Sequence, residues 1–409
     1  MKIALIAPTY LPSRRANTIQ VMKMAQAMTM LEHEVIVLVP GDLPPALIVP
    51  SGYSPQEREK ESPSPPGRGV MGEGNWDELT RHYGLQHRFD IHWLPAHPRL
   101  RRYDYGLTAV RHARRWGADL IYTRLPQAAA VASFFGMRTI LEIHDLPRGT
   151  LGPWLFSRFL RGRGARRLVV ITRALADALA QKFTPFRPAP FTLIAPDGVD
   201  LARYKNFPNP TEARQSLGSA FRLPPSAFIA GYTGHLYPGR GTQLILDIAA
   251  HLPNMTFLLM GGDPADVTRL RAQASRRGLG NVILTGFVPN AELPHYQAAC
   301  DVLLMPYQRR ISASSGGDIA RYLSPMKLFE YLACGRAILS SDLPVLREVL
   351  TPDNAVLLPP DDVDAWVAAI RDLQADPARR ESLAAQSRRD AQNYTWEARS
   401  RRILAYEQK

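Results

Sequence analysis

A chain of 409 residues is long for a single hydrophobic core, so two domains are expected. Apolar residues at 45% and charged residues at 21% exclude a chain disordered throughout. No stretch approaches a membrane-spanning length, and the opening run M-K-I-A-L-I-A-P stops at Pro8, short of a signal peptide, which gives a cytoplasmic expectation. The formal net charge is +13, and it is uneven: residues 1–200 carry 26 Lys and Arg against 17 Asp and Glu. Such a front half suits anionic phospholipid, nucleic acid or a phosphorylated substrate, and charge alone chooses none of them. Cys300 and Cys334 lie in apolar settings that fit reduced core residues better than a disulfide or a metal site.

In chain order, Lys2–Ala7 reads as a buried strand, Asn17–Leu31 has helical periodicity, and Val35–Val39 is the next strand. This is how a parallel sheet with crossover helices begins, and ligands of such sheets gather at the carboxyl ends of strands. The connection Pro8–Ala16 leaves the first strand at that end, which makes its Arg14 and Arg15 candidates for contact with a phosphate or a substrate, with Asn17 just beyond. From about 40 to 75 the pattern fails: eight prolines fall between Pro40 and Pro66, and the stretch reads as a long excursion, a lid or an insert. Strands at Phe89–Leu94, Asp119–Tyr122 and Thr139–Ile143 then alternate with helices at Tyr103–Trp116 and Pro126–Phe135. The last of these strands runs into His144 and Asp145, a histidine and a carboxylate where such sheets do chemistry. Trp154–Arg167 mixes aromatics with five arginines and is expected to form a basic amphipathic helix, one that either lies on an anionic membrane or packs its aromatics inside while its arginines stay solvated. Strands at Leu168–Ile171 and Phe191–Ile194 flank a helix at Arg173–Lys182, and Tyr204–Pro210 reads as a linker.

The alternation restarts at Phe228–Tyr232 and runs through strands at Met255–Met260, Val282–Thr285 and Val302–Met305, so a second parallel sheet is expected. Its first turn, Gly234–Gly241, is glycine-rich and carries Arg240 beside Gly239 at the start of a helix, a setting in which a phosphate can approach the backbone. It spells neither a dinucleotide fingerprint nor a P-loop. Ser312–Asp318 is a small-residue loop. After it, Ser324 suits an N-cap, Pro325 the first helical position and Gly335 the residue past the end of one helix. Lys327 then falls in the first turn, where a cation opposes the helix dipole unless an anion is bound, and Glu330 lies one turn further on the same face. A short helix at Pro344–Leu350, a strand at Ala355–Leu358, helices from Val363 and Pro377, and a last helix at Trp396–Gln408 complete the chain.

Five segments in order resemble the retaining glycosyltransferases of family 4: His144-Asp145; Asp197-Gly198-Val199-Asp200; Gly234–Gly241; Thr285-Gly286-Phe287-Val288; and Ser324–Gly335. The resemblance implies the GT-B fold, an α/β architecture of two Rossmann-like parallel-sheet domains facing a cleft. It divides the chain into an acceptor-side domain at 1–203, a nucleotide-sugar domain at 204–390, and a C-terminal helix at 391–409 packing back toward the first. It implies transfer of a sugar from a nucleotide diphosphate sugar, a UDP-sugar by preference, to an acceptor hydroxyl with retained configuration. Such a reaction would serve cell-surface polysaccharide or glycolipid synthesis. His144, Asp145, Arg240 and Lys327 take catalytic places by this likeness. Gly239, Ser324, Pro325, Phe287, Val288 and Glu330 fall to the nucleotide and diphosphate, and Arg14, Arg15, Asn17, Asp318 and Tyr322 to the sugar or acceptor side. The family's first glutamate is replaced here by Tyr322, which implies an altered sugar pocket. No cofactor, metal or nucleic-acid partner is expected, since fixed cations can meet the leaving phosphate. An anionic membrane surface on the inner face is a candidate partner. Two rivals stand beside this reading: a nucleotide-sugar epimerase of the same architecture, and a non-catalytic basic protein binding membrane or nucleic acid.

Overall fold

In a computed structural model, residues 1–41, 73–100, 102–184, 186–221, 223, 226–312 and 317–405 are described. Most of the excursion from about 40 to 75 and the middle of the Ser312–Asp318 loop lie outside them. The chain divides into two compact units, one of residues 1–171, 175–195 and 396–409, the other of 172–174 and 196–395.

The first unit holds a seven-stranded sheet. Its strands are β1 (Lys2–Ile6), β2 (Glu34–Pro40), β3 (Asp90–Leu94), β4 (Leu120–Thr123), β5 (Thr139–Ile143), β6 (Ala165–Val170) and β7 (Thr192–Ile194), ordered β3-β2-β1-β4-β5-β6-β7. Every pairing is parallel. The helices are α1 (Ala16–Met30), α2 (Glu73–Tyr83), α3 (Tyr103–Trp116), α4 (Pro126–Phe134), α5 (Leu151–Leu160) and α6 (Arg173–Lys182), the last starting in the segment that clusters with the second unit. Parallel strands covered on both faces read as unbroken apolar runs, and β1, β4 and β5 are buried almost throughout. Chain order reverses between β1 and β4, so the carboxyl ends of these strands and of β5 frame the switch point where such sheets bind ligands.

The second unit repeats the plan with α7 (Pro210–Phe221), β8 (Ile229–Thr233), α8 (Thr242–His251), β9 (Thr256–Met260), α9 (Pro264–Arg276), β10 (Val282–Gly286), α10 (Leu293–Ala298), β11 (Val302–Met305), α11 (Met326–Cys334), β12 (Ala337–Ser341) and β13 (Val356–Leu358). Helices α12 (Val363–Ala375) and α13 (Pro377–Ala391) follow. The order is β10-β9-β8-β11-β12-β13, again parallel, with its switch point between β8 and β11. Helix α14 (Trp396–Leu404) belongs to the first unit, where it packs on α1.

Three local expectations are corrected. The basic amphipathic helix expected over Trp154–Arg167 does not run that far: α5 ends at Leu160 and Ala165–Arg167 already lie in β6. A Cβ on Gly162 would meet Ser133 Oγ at 2.3 Å and one on Gly164 would meet the Met137 carbonyl at 2.0 Å, so the chain turns tightly there. Arg167 is consequently buried, its guanidinium donating to the carbonyls of Arg402 and Ile403. The helix expected at Pro344–Leu350 is a single 3₁₀ turn, Leu346–Glu348. In the stretch read as a linker, Tyr204 is buried and donates its hydroxyl to Gln297 at 3.0 Å.

Candidate functional site

At the switch point of the second unit, β8 runs into Gly234 and β11 into Tyr307. Gly234 has φ +131°, and a Cβ there would stand 3.1 Å from Lys327 Nζ, so the lysine amine lies directly over the turn. Gly239 and Gly241 both have φ +83°, and side chains on them would strike the carbonyls of Arg310 and Pro306 at 2.2 and 1.8 Å. The glycines thus let the turn sit against the backbone that follows β11.

Lys327 Nζ is covered and has no hydrogen-bond partner among the described residues, although the residue as a whole is only half-buried. It rests 3.8 Å from the ring centre of Tyr232 and 5.1 Å from that of Tyr307. Burial first, and then the neighbouring Arg240 guanidinium, hold its pKa well below the usual lysine range. Arg240 donates to the Tyr307 hydroxyl at 3.2 Å, while its covered Nε has no partner among the described residues. Two cations with unmet donors, gathered at a glycine turn, make a site whose natural occupant is an anion.

The start of α11 differs from the expected one. Pro325, at φ −81° and ψ 127°, is itself the N-cap, and no side chain caps the helix. Proline's fixed φ also fits this extended geometry, so helical dihedrals begin one residue later and Lys327 is the second helical residue. Ser324 Oγ is engaged elsewhere, accepting from the Asp197 N–H at 3.2 Å. Gly335 closes the helix in the left-handed conformation at φ 59°. Glu330 is buried, its Oε1 accepting from Asn290 at 3.4 Å and lying 3.9 Å from Arg203 Nη1. Asp318 does not stand free for a sugar hydroxyl on both oxygens: its Oδ1 accepts from the backbone of Ile311 at 2.9 Å and of Ala320 at 3.0 Å, and these bonds hold its carboxyl below the usual range. Tyr322 is half-buried and Phe287 likewise, while the Val288 side chain is in the core.

In the first unit, His144 follows β5 at its carboxyl end and meets Glu142, two residues back on the same strand face. Glu142 is fully buried, and four donors converge on it: Gln20 of α1 and His144 reach Oε1, while Tyr122 of β4 and Arg399 of α14 reach Oε2, the guanidinium at 3.0 Å. Burial raises the pKa of this carboxyl, but Arg399 and His144 outweigh it and the net direction is down. His144 is lowered to about 4, mainly by burial and then by Arg124, against the opposing pull of Glu142. Asp145 turns away into a local bond with Arg148 at 2.7 Å and the Leu146 N–H at 2.8 Å. Arg14 and Arg15 are exposed on a loop tied down by the Tyr83 hydroxyl, which accepts from the Ser13 N–H at 2.7 Å, and Asn17 is half-buried in the first turn of α1.

Sequence reasoning did not single out Glu142, Gln20, Tyr122 and Arg399, nor Tyr232, Tyr307 and Arg203. Only Glu142 left a signal: a carboxylate inside the apolar strand T-I-L-E-I, in step with His144.

The description "Glycosyltransferase Family 4" matches residues 18–203, and "Glycosyl transferases group 1" matches 227–376. A D-inositol 3-phosphate glycosyltransferase of Jonesia denitrificans is 29% identical over 227 residues, covering 52% of this chain and 50% of that protein. A phosphatidyl-myo-inositol mannosyltransferase of Mycolicibacterium smegmatis is 24% identical over 329 residues, covering 76% and 77%. The chain spans about half the length of most of the curated relatives it matches. Among solved structures, Anabaena Alr3699/HepE in complex with UDP and glucose superposes with TM-score 0.71 at 19% identity, each chain covered in full. A sucrose-phosphate synthase from Thermosynechococcus elongatus gives 0.71 at 20% identity, covering 100% and 98%.

Proposed function

We propose, since this chain belongs to the family 4 glycosyltransferases of the GT-B fold, that it transfers a hexose from a nucleotide diphosphate sugar to an acceptor hydroxyl with retained anomeric configuration. The observation that carries the proposal is Lys327 Nζ, covered and without a hydrogen-bond partner among the described residues, gathered with Arg240 at a glycine turn. In the reaction, the bond between the sugar's anomeric carbon and the β-phosphate oxygen breaks and a bond to the acceptor oxygen forms. The acceptor's proton leaves with the phosphate. Negative charge grows on that phosphate in the transition state, and fixed cations lower the barrier. Lys327, Arg240 and the uncapped start of α11 serve that purpose with no metal ion required. The backbone at Phe287 and Val288 meets the base, Glu330 the ribose, and His144 the sugar side. Arg14, Arg15, Asn17, Asp318 and Tyr322 remain on the sugar or acceptor side. A UDP-sugar is favoured by the HepE complexes with UDP, while one mannosyltransferase relative is named as GDP-mannose-dependent.

Thermal shift with UDP-, GDP- and ADP-sugars tests this, because a ligand of the native state raises its melting point by mass action. One nucleotide series should stabilise the protein, and Lys327→Ala and Arg240→Ala should each abolish both the shift and transfer while the protein stays folded. Full activity in both variants would remove the site assignment. Conversion of the sugar without transfer would point to the epimerase.

A second reading concerns where the enzyme works. Phe134 and Phe135 at the end of α4 and Leu151 and Trp154 of α5 are 51%, 63%, 51% and 60% exposed. Arg158 lies 4.4 Å from the Phe134 ring centre, Arg161 and Arg163 are exposed nearby in the chain, and neither helix contains a carboxylate. These features support association of the first unit with an anionic membrane on the cytoplasmic face, for an acceptor in glycolipid or surface polysaccharide synthesis. Among the described residues no helix is long and apolar enough to cross a membrane.

A further inference from the structure

We infer that the network of Arg399, Glu142, Gln20 and Tyr122 fixes His144 as the tautomer protonated on Nε2, so that the side chain presents a bare Nδ1 and can only accept a hydrogen bond, from a substrate hydroxyl. The inference deepens the glycosyltransferase reading and rests on it for the identity of that hydroxyl; the tautomer itself does not.

The argument is one of donors and acceptors. Glu142 is fully buried between β4 and α1, and Arg399, itself buried, stands 3.0 Å from its Oε2. A guanidinium in contact keeps a carboxylate ionised, and an ionised carboxylate only accepts. The His144 nitrogen that meets Oε1 must therefore carry a proton, and that nitrogen is Nε2. A neutral imidazole has one proton. Burial and Arg124 keep the ring neutral above about pH 4. Nδ1 is then without a proton and carries a lone pair.

What such a group can touch is restricted. The diphosphate of a nucleotide sugar carries no proton at neutral pH, so its oxygens would face Nδ1 lone pair to lone pair. A sugar or acceptor hydroxyl can donate to it. His144 thus recognises a hydroxyl and is unsuited to clamping the leaving phosphate, a task left to Lys327 and Arg240. Arg399 and Glu142 act through His144 and are positioning residues. Arg399 is held for that task by a further bond to the Ala195 carbonyl at 3.1 Å, and Gln20, the other donor to Oε1, accepts from Arg124 at 2.9 Å.

The substitution Glu142→Gln should reverse the arrangement. Arg399 can only donate, so the amide oxygen turns to it and the amide NH₂ replaces Oε1, leaving His144 to accept on Nε2 and carry its proton on Nδ1. The experiment is nitrogen NMR on the full chain with labelled histidine at pH 7, the His144 signals assigned by their loss in His144→Asn. The unaltered protein should show a protonated Nε2 and a bare Nδ1, with the order exchanged in Glu142→Gln. The measurement on the unaltered protein needs no variant of the network to fold. An imidazolium, or a proton on Nδ1 in the unaltered protein, overturns the inference, as does an unchanged tautomer in Glu142→Gln. Added UDP-glucose should move the Nδ1 signal where UDP alone does not; an equal response to both would overturn the hydroxyl as partner. Because the tautomer is read without substrate, an inactive protein with the expected tautomer would tell against the proposed transferase and leave this inference standing. In an active protein, Glu142→Gln should lower kcat at least tenfold with little change in KM for the donor.

Discussion

Lys327 shows how much one side chain can say. Its amine is covered, rests against Tyr232 and Tyr307, and is held well below the usual lysine range by burial and by Arg240. A dianionic diphosphate placed against it would restore the charged form, because an opposite charge in contact favours ionisation. Nucleotide binding should therefore take up a proton. Calorimetry of UDP binding in buffers of different ionisation enthalpy, repeated at several pH values, should detect that uptake above the lysine's depressed pKa, and Lys327→Met should lose it along with most of the affinity. Sequence position alone made this lysine suspect, since a cation in the first turn of a helix is misplaced. The two tyrosines that hold it were not legible, because they come from the ends of β8 and β11 and meet only when the sheet is formed. The same holds for Glu142: its strand position could be read, but Arg399, more than two hundred residues away in sequence, could not be paired with it.

Elements were read more faithfully than side chains. Strand and helix periodicities recover the first sheet and five of the six strands of the second, missing β12 and such helices as α2, since buried parallel strands are unbroken apolar runs whatever their partners. One expected helix failed where close backbone contact overrides local pattern. R-G-R-G after α5 has the composition of a basic helix, but Gly162 and Gly164 are pressed against the chain at Ser133 and Met137. The apolar exposure consequently spans α5 and the end of α4 and is not confined to a single helix. Vesicles containing phosphatidylglycerol should bind the protein in a salt-dependent way, and those of phosphatidylcholine weakly. Phe135→Ser with Trp154→Ala should reduce binding by tenfold or more in vesicle sedimentation, about the loss expected for two aromatic side chains at 1.4 kcal/mol or more in total. Equal sedimentation of the variant would leave these residues without that role.

At the scale of the whole molecule, acid should be the revealing perturbant. The His144 pKa is depressed to about 4 in the fold against 6.5 for the free group. Between these values the unfolded chain binds the extra proton, so stability rises with pH there and is lost as pH falls from 6.5 through 4. Glu142 is also depressed, so its contribution is present above 4.5 and is lost on further acidification. One such proton gives a slope of up to about 1.4 kcal/mol per pH unit. Urea midpoints measured from pH 7 to 4 should fall along that slope, and His144→Asn should flatten the part between 6.5 and 4.

The return of α14 to the first unit has a consequence for how the protein is made. Nearly all of that unit's sheet is translated before the second unit, whereas Arg399 follows it. While the ribosome is reading the intervening residues, Glu142 has Gln20, Tyr122 and His144 but no guanidinium beside it, and removing one partner of a buried ion pair costs about 3–5 kcal/mol. The nascent first unit should stay open to proteases until α14 emerges, and a chain halted at Thr395 should be degraded in pulse-chase while one ending at Ala405 survives. Assembly of the hydroxyl-reading histidine would then double as a check that translation has run through the helix that completes it.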